Sequence, residues 1–240
     1  MSRYRCGAVA AAAILACIPV ANAAAQATPT LKADRACYTP GEAITLTAGG
    51  FAPASSVAFF FQLMGAHGHQ LATGDTNSTA DATGAFQARY GAPDLASSDD
   101  FQEHLSITAN QQPPAGQPPT TDPMPFAATD VLLSTFDVLV TPWDRGQVDP
   151  RKTVAVRAFG YEPATKLWAH YVLNGKRVKT VYVGKLTGPC GNLLKHMREF
   201  PFSPVRPGTY SVYFQGSQTL DKRMGTPYRK VVVSRAKAVA

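Results

Sequence analysis

Few combinations of residues in this sequence could perform catalysis. Cys190 lies six positions before His196, and His67 and His69 lie two positions apart in a short segment. The first pair could supply a nucleophile with its base, and the second could bind Cu(II) or Zn(II). The sequence contains no G-x-S-x-G, H-E-x-x-H or phosphate-loop motif. We therefore predict a protein without enzymatic activity, metal or other cofactor, and we keep these two pairs as the alternative.

Aromatic and cationic side chains indicate binding instead. Apolar residues alternate through the segment 167–173, so Trp168 and His170 are expected to face outward from a strand. The same alternation turns Tyr213 outward on a later strand, and we expect the three side chains to form one exposed patch. The cations expected to make charge contacts are Lys176, Arg177 and Lys179 beside the Asn174-Gly175 hairpin, and Arg223 on a later loop.

Charge divides the chain into unlike halves. Residues 29–135 carry three Lys and Arg against ten Asp and Glu, whereas residues 136–240 carry eighteen against six. A strongly basic half attracts polyanions, and two oppositely charged halves can attract each other in neighbouring molecules.

The first 23 residues have the pattern of a secretory signal peptide. Arg3 and Arg5 precede an apolar run, and Ala21-Asn22-Ala23 matches a cleavage site. A lipoprotein signal ending at Cys17 is the alternative. We therefore expect an exported protein. No later segment has the ~20 apolar residues that a membrane helix needs. Two cysteines then remain, Cys37 and Cys190, and the sequence leaves open whether they form a disulfide or stay as thiols.

An internal duplication sets the architecture. The stretch Gly50-Phe51-Ala52-Pro53 recurs as Gly160-Tyr161-Glu162-Pro163, and Asp34-Arg35 recurs as Asp144-Arg145, both 110 positions later. A fixed offset of this kind predicts two copies of one structural unit. We place the copies at residues 29–135, which are acidic, and 136–235, which are basic.

Each copy reads as a β-sandwich. It contains about seven short segments of alternating polarity with turn residues between them, which is typical of an immunoglobulin-like fold. We therefore predict an all-β protein with two tandem immunoglobulin-like β-sandwich domains. The stretches from Gly50 to Val57 and from Gly160 to Leu167 also resemble the G-F-x-P-x-x-x-V pattern of bacterial secreted immunoglobulin-like repeat proteins. That resemblance implies an adhesin, envelope protein or accessory module, and it brings no catalytic residue.

These observations predict a secreted, non-catalytic binding or structural module of the cell envelope or extracellular space. Its basic second repeat is expected to bind a polyanion, a glycan or a protein. Nucleic acid is not expected as a partner, because the chain is exported and lacks a known nucleic-acid-binding motif. Head-to-tail self-association through the oppositely charged repeats is the alternative.

Overall fold

The protein is built from strands. The computed structural model describes residues 27–65, 68–97, 100–116, 123–142, 147–222 and 227–234. The strands in these ranges are β1 (Thr30–Ala33), β2 (Cys37–Tyr38), β3 (Ala43–Gly49), β4 (Ser56–Gly65), β5 (Gly68–Thr79), β6 (Phe86–Gly91), β7 (Gln102–Gln111), β8 (Phe126–Ser134), β9 (Asp137–Thr141), β10 (Thr153–Phe159), β11 (Lys166–Leu173), β12 (Lys176–Lys185), β13 (Leu193–Arg198), β14 (Gly208–Gln215) and β15 (Tyr228–Val233). Within these ranges no helix is long and apolar enough to cross a membrane. The predicted all-β fold is confirmed. The segment predicted to be a signal peptide, including Cys17, lies outside the described residues.

The first domain is a sandwich of two sheets. One sheet has the strand order β1-β3-β6, and the other has the order β2-β8-β7-β4-β5. All pairings are antiparallel except that of β2 with β8. The chain passes from one sheet to the other between β1 and β2. Two packed sheets with strands exchanged in this way are typical of immunoglobulin-like domains.

The second domain repeats that arrangement. Its sheets have the orders β13-β10-β9 and β12-β11-β14-β15, which match the first domain strand for strand apart from β2. Even β2 has a counterpart, because Gln147 makes an isolated parallel bridge to Val232. Gln147 lies 110 positions after Cys37, the first residue of β2. The sequence offset therefore corresponds to equivalent positions in the two sandwiches.

Each sandwich has its own apolar core between its sheets. The first core contains Ile44, Phe59 and Leu105, and the second contains Leu167, Tyr171 and Tyr210. The Tyr210 hydroxyl donates to the Arg206 carbonyl oxygen, four residues upstream, at 2.9 Å. This bond is the tyrosine corner that locks the start of the equivalent strand in many immunoglobulin-like domains.

A close glycine contact joins the second domain to the linker before it. Gly160 has a φ of +72°, and a Cβ added there would lie 2.2 Å from the Thr135 carbonyl oxygen. The neighbouring Tyr161 packs on the linker residue Phe136, with ring centroids 4.7 Å apart. Only glycine permits both this backbone conformation and this approach.

Covalent and noncovalent contacts hold the two domains together. A disulfide joins Cys37 of the first domain to Cys190 of the second, with a Cα–Cα distance of 5.2 Å. Beside it, the Asn192 side-chain amide donates to Gln102 Oε1 at 2.8 Å. Phe101 stacks on Phe159 across the same junction, with centroids 4.9 Å apart. These three contacts join the two domains beside the linker.

Candidate binding face of the second domain

One face of the four-stranded sheet β12-β11-β14-β15 points away from the core. On β11, Leu167, Ala169 and Tyr171 belong to the core, so the alternate residues face the other side. We call that side the outer face. Strand register places three of its positions in one row, Tyr182 beside Trp168 beside Gln215.

Four aromatic rings lie on the outer face as two pairs. Trp168 packs against Tyr182 with centroids 5.3 Å apart, and Tyr213 stacks on Tyr228 at 5.4 Å. Tyr182 is 47% exposed and Tyr228 is 54% exposed. The partners Trp168 and Tyr213 are half-buried, so each pair presents one ring to solvent and supports it with another.

Cations lie at both ends of this aromatic centre. Lys166 and Lys185 are register partners on the next outward row beyond Trp168. On the other side of the aromatic rings, Arg177 pairs with Val172 and Lys230 pairs with Ser211, the register partner of Val172. These two cations therefore lie in one row, on the two edge strands. All four side chains are exposed. The outer face therefore combines flat apolar rings with positive charge at two separated places.

A loop crosses part of the outer face. Residues 216–222 follow β14, and we call them the strap. The Gln215 side chain accepts from the Asp221 amide at 3.0 Å and also donates to the Asp221 carbonyl oxygen. Lys222 Nζ donates to the Gly175 carbonyl oxygen at 3.1 Å. These bonds hold the strap along β11 towards its hairpin.

His170 is not part of an exposed patch, and that prediction was wrong. It does occupy an outward position, but the strap covers it and leaves it 0% exposed. His170 Nε2 lies 3.0 Å from the Ser217 carbonyl oxygen, and Nδ1 lies 3.0 Å from Thr180 Oγ1. Because a carbonyl only accepts, Nε2 carries the proton and Nδ1 accepts from the threonine hydroxyl. Burial lowers the pKa of His170, and this effect together with the positive charge of Arg177 outweighs the hydrogen bond to the Ser217 carbonyl, which raises it. The imidazole therefore holds the strap as a neutral group.

The other predicted residues divide into three groups. Trp168 and Tyr213 share the outer face, together with Arg177. Lys176 and Lys179 are exposed on the same edge strand but pair with the inward positions Leu173 and Tyr171. Arg223, His67 and the His69 side chain lie outside what the structure describes.

The pairing of Cys190 with His196 does not form. Cys190 is buried and bonded to Cys37, so its sulfur is not a thiolate nucleophile. His196 lies on β13, in the other sheet, opposite Ala155. Among the described residues, no three His, Cys, Asp or Glu side chains are grouped as metal ligands.

Sequence reasoning missed Tyr182 and Tyr228. A regular two-residue hairpin at Asn174-Gly175 would place Val181 opposite Trp168. One register shift in the β11–β12 pair, between Tyr171 and Val172, places Tyr182 there instead. Tyr228 could have been found, since it begins an alternating segment that pairs with the strand of Tyr213.

Comparison with known proteins supplies no family. No protein-family model and no curated protein matches the sequence. Among solved structures, the human OSCAR ligand-binding domain shows 14% identity and a TM-score of 0.31, covering 86% of this chain and 96% of that one. Red sea bream transglutaminase shows 14% identity and a TM-score of 0.28, covering 88% of this chain but 31% of that one. Likenesses of this size carry no argument about function, and the fold assignment rests on the strand order.

Proposed function

We propose that this chain is a secreted, non-catalytic binding protein that holds an acidic polysaccharide across the outer face of its second domain. The observation that carries the proposal is the arrangement on that face, where two aromatic pairs lie between two pairs of cations. Sugar rings have apolar faces that stack on aromatic side chains, and their carboxylate or sulfate groups pair with Lys and Arg.

The spacing of the strands supports an extended ligand. Tyr182 and Tyr228 lie on the two edge strands of a four-stranded sheet. At ~4.8 Å between neighbouring strands, these two exposed rings are separated by roughly 14 Å across the sheet. A chain of several sugar units can cover that distance, whereas a single sugar cannot reach both rings.

The corresponding face of the first domain lacks this combination. The first domain has Phe60 at the position equivalent to His170, 110 residues earlier, and this ring is 46% exposed. Phe126 on β8 is 62% exposed. No Lys or Arg belongs to β4, β5, β7 or β8. The first domain therefore offers rings without cations and serves as an internal comparison.

Binding of polygalacturonate, with dextran as the neutral comparison, tests the proposal. We expect polygalacturonate to bind and dextran to bind much more weakly. Added salt should weaken binding, because exposed charges are screened over about 8 Å at physiological ionic strength. Trp168→Ala should cost about 2 kcal/mol of binding free energy, as loss of a supporting aromatic anchor does.

Matched controls separate the face from the rest of the molecule. Phe126→Ala removes an exposed ring from the first domain, and Lys195→Gln removes an exposed cation from the other sheet of the second. Both should leave binding unchanged, whereas Lys166→Gln combined with Lys185→Gln should weaken it. Equal losses of affinity for polygalacturonate in the control and test variants would refute the proposal. Light scattering that shows salt-dependent assembly without polysaccharide would favour head-to-tail self-association instead.

A further inference from the structure

A second concave site lies at the end of the second domain that is remote from the first. It forms where the β9–β10 connection meets the segment after β13, in a cleft of about 380 Å³. The cleft is lined by Pro150, Arg151, Arg198, Phe200, Pro201, Phe202, Ser203 and Val205. It adjoins the Thr153 end of β10, whereas the Phe159 end of that strand contacts the first domain.

The walls of this cleft are held rigidly. The Phe200 amide donates to the Pro150 carbonyl oxygen at 3.3 Å, and the Glu199 amide donates to the Lys152 carbonyl oxygen at 2.8 Å. These two bonds join the segments on either side of the cleft. Phe200 is also buried against Tyr210, with centroids 4.9 Å apart. A preformed cleft loses little conformational entropy when it binds.

Its floor is aromatic and its charged groups are positive. Phe202 is half-buried against Tyr171, with centroids 4.9 Å apart, and leaves part of its ring in the cleft. Arg151 and Arg198 are both exposed, and within the described part of the chain neither makes an ion pair. The nearby Asp149 carboxylate accepts from the Arg151 backbone amide at 3.0 Å. Two guanidinium groups beside an apolar floor suit a ring that carries a doubly charged anion.

We propose that this cleft binds a phosphate monoester carried on a sugar ring. A phosphate monoester has close to two negative charges and three acceptor oxygens, so it matches two guanidinium groups better than a carboxylate does. The sugar ring would pack on Phe202 and Pro201. This site is separate from the outer face and uses none of its residues.

Titration of the purified protein with glucose 6-phosphate, followed by ¹⁵N–¹H NMR, tests the assignment. Amide shifts should appear at Arg151, Phe202 and Ser203, with glucose and inorganic phosphate binding at least about tenfold more weakly than glucose 6-phosphate. Glucuronate should also bind more weakly. Arg151→Gln and Arg198→Gln should each weaken binding by about tenfold, the usual size for loss of one charge-assisted contact.

One control variant lies in the segment that follows the cleft, and the other lies on the outer face. Arg206→Gln removes an exposed charge from the segment that follows the cleft but leaves the lining intact, so it should bind normally. Trp168→Ala should also bind normally, which distinguishes failure of this proposal from failure of the polysaccharide proposal. Equal affinity for inorganic phosphate and glucose 6-phosphate, tighter binding of glucuronate, or shifts confined to the outer face would each overturn it.

Discussion

Removal of the disulfide between Cys37 and Cys190 should show how much this bond stabilises the two domains. Cys37 and Cys190 are separated by 153 positions, so the disulfide closes a loop that contains most of the folded chain. In the chain-entropy description, a loop of this length corresponds to a stabilisation of about 5 kcal/mol at 25 °C, and removal of native disulfides costs about 2–5 kcal/mol. For a protein of this size each kcal/mol corresponds to roughly 2–4 °C, so the Tm should fall by roughly 4–20 °C.

The two tryptophans make the assay specific. Trp143 and Trp168 both belong to the second half of the sequence, so fluorescence excited in the tryptophan band reports on that half alone. Circular dichroism reports on both domains. In the chain expressed from Ala24, we expect the two signals to change together on heating. In Cys37→Ser/Cys190→Ser they should separate, because each domain has its own core.

Chemical reduction of the unmutated protein provides the control. It opens the same loop without placing serine hydroxyls at two buried positions. Reduction should therefore reproduce most of the change in Tm. A variant and a reduced protein that both unfold within about 2 °C of the oxidised protein would refute the loop-closure argument.

Three further perturbations test the second domain. Arg229 forms a buried ion pair with Glu199 at 3.2 Å, so Arg229→Met should lower the free energy of unfolding by about 3–5 kcal/mol, and adding Glu199→Leu should restore much of it in denaturant titrations. Gly160→Ala should lower the free energy of unfolding by at least about 2 kcal/mol. Gly175 has a φ of +78° but open space around it, so Gly175→Ala should lower the free energy of unfolding by about 1 kcal/mol. Equal losses of stability would show that the close contact at Gly160 is unimportant. Because the pKa of His170 is lower in the folded protein, the unfolded chain binds its proton first, so stability should be full above about pH 6.5 and fall as the pH drops below that value. Thermal melts across this range should show that His170→Gln flattens the decline.

The sequence predicted the sandwiches well because their signals are local. Alternation at β3 and β10 marks strands of identical length, and the offset of 110 appears in both of their limits. Glycines after these strands mark the turns that lead to the next strand. Side chains on β11 also alternate as expected, which is why Trp168 was correctly placed on the outward side.

The candidate face was harder to predict because it depends on contacts distant in sequence. His170 is buried by Ser217, 47 positions later, and no periodicity within β11 reports that strap. Tyr182 reaches its place through a bulge that shifts the hairpin register between Tyr171 and Val172, and such a bulge has no strong signature in a single sequence. Edge-strand cations such as Lys179 illustrate a third limit, since Lys179 is exposed although it pairs with the inward position Tyr171.

The two positions joined by the disulfide between the domains are not both cysteine in either domain. Cys37 lies on the short parallel strand of the first copy, and Gln147 holds that position in the second. Cys190 lies three residues before β13, and the residue three positions before β6 is Thr83. A third copy that docked on either domain in the same way would therefore find no cysteine at the matching position. Cysteine at Thr83 and Gln147 would be the smallest change that gives both free ends the partners for an extendable covalent polymer.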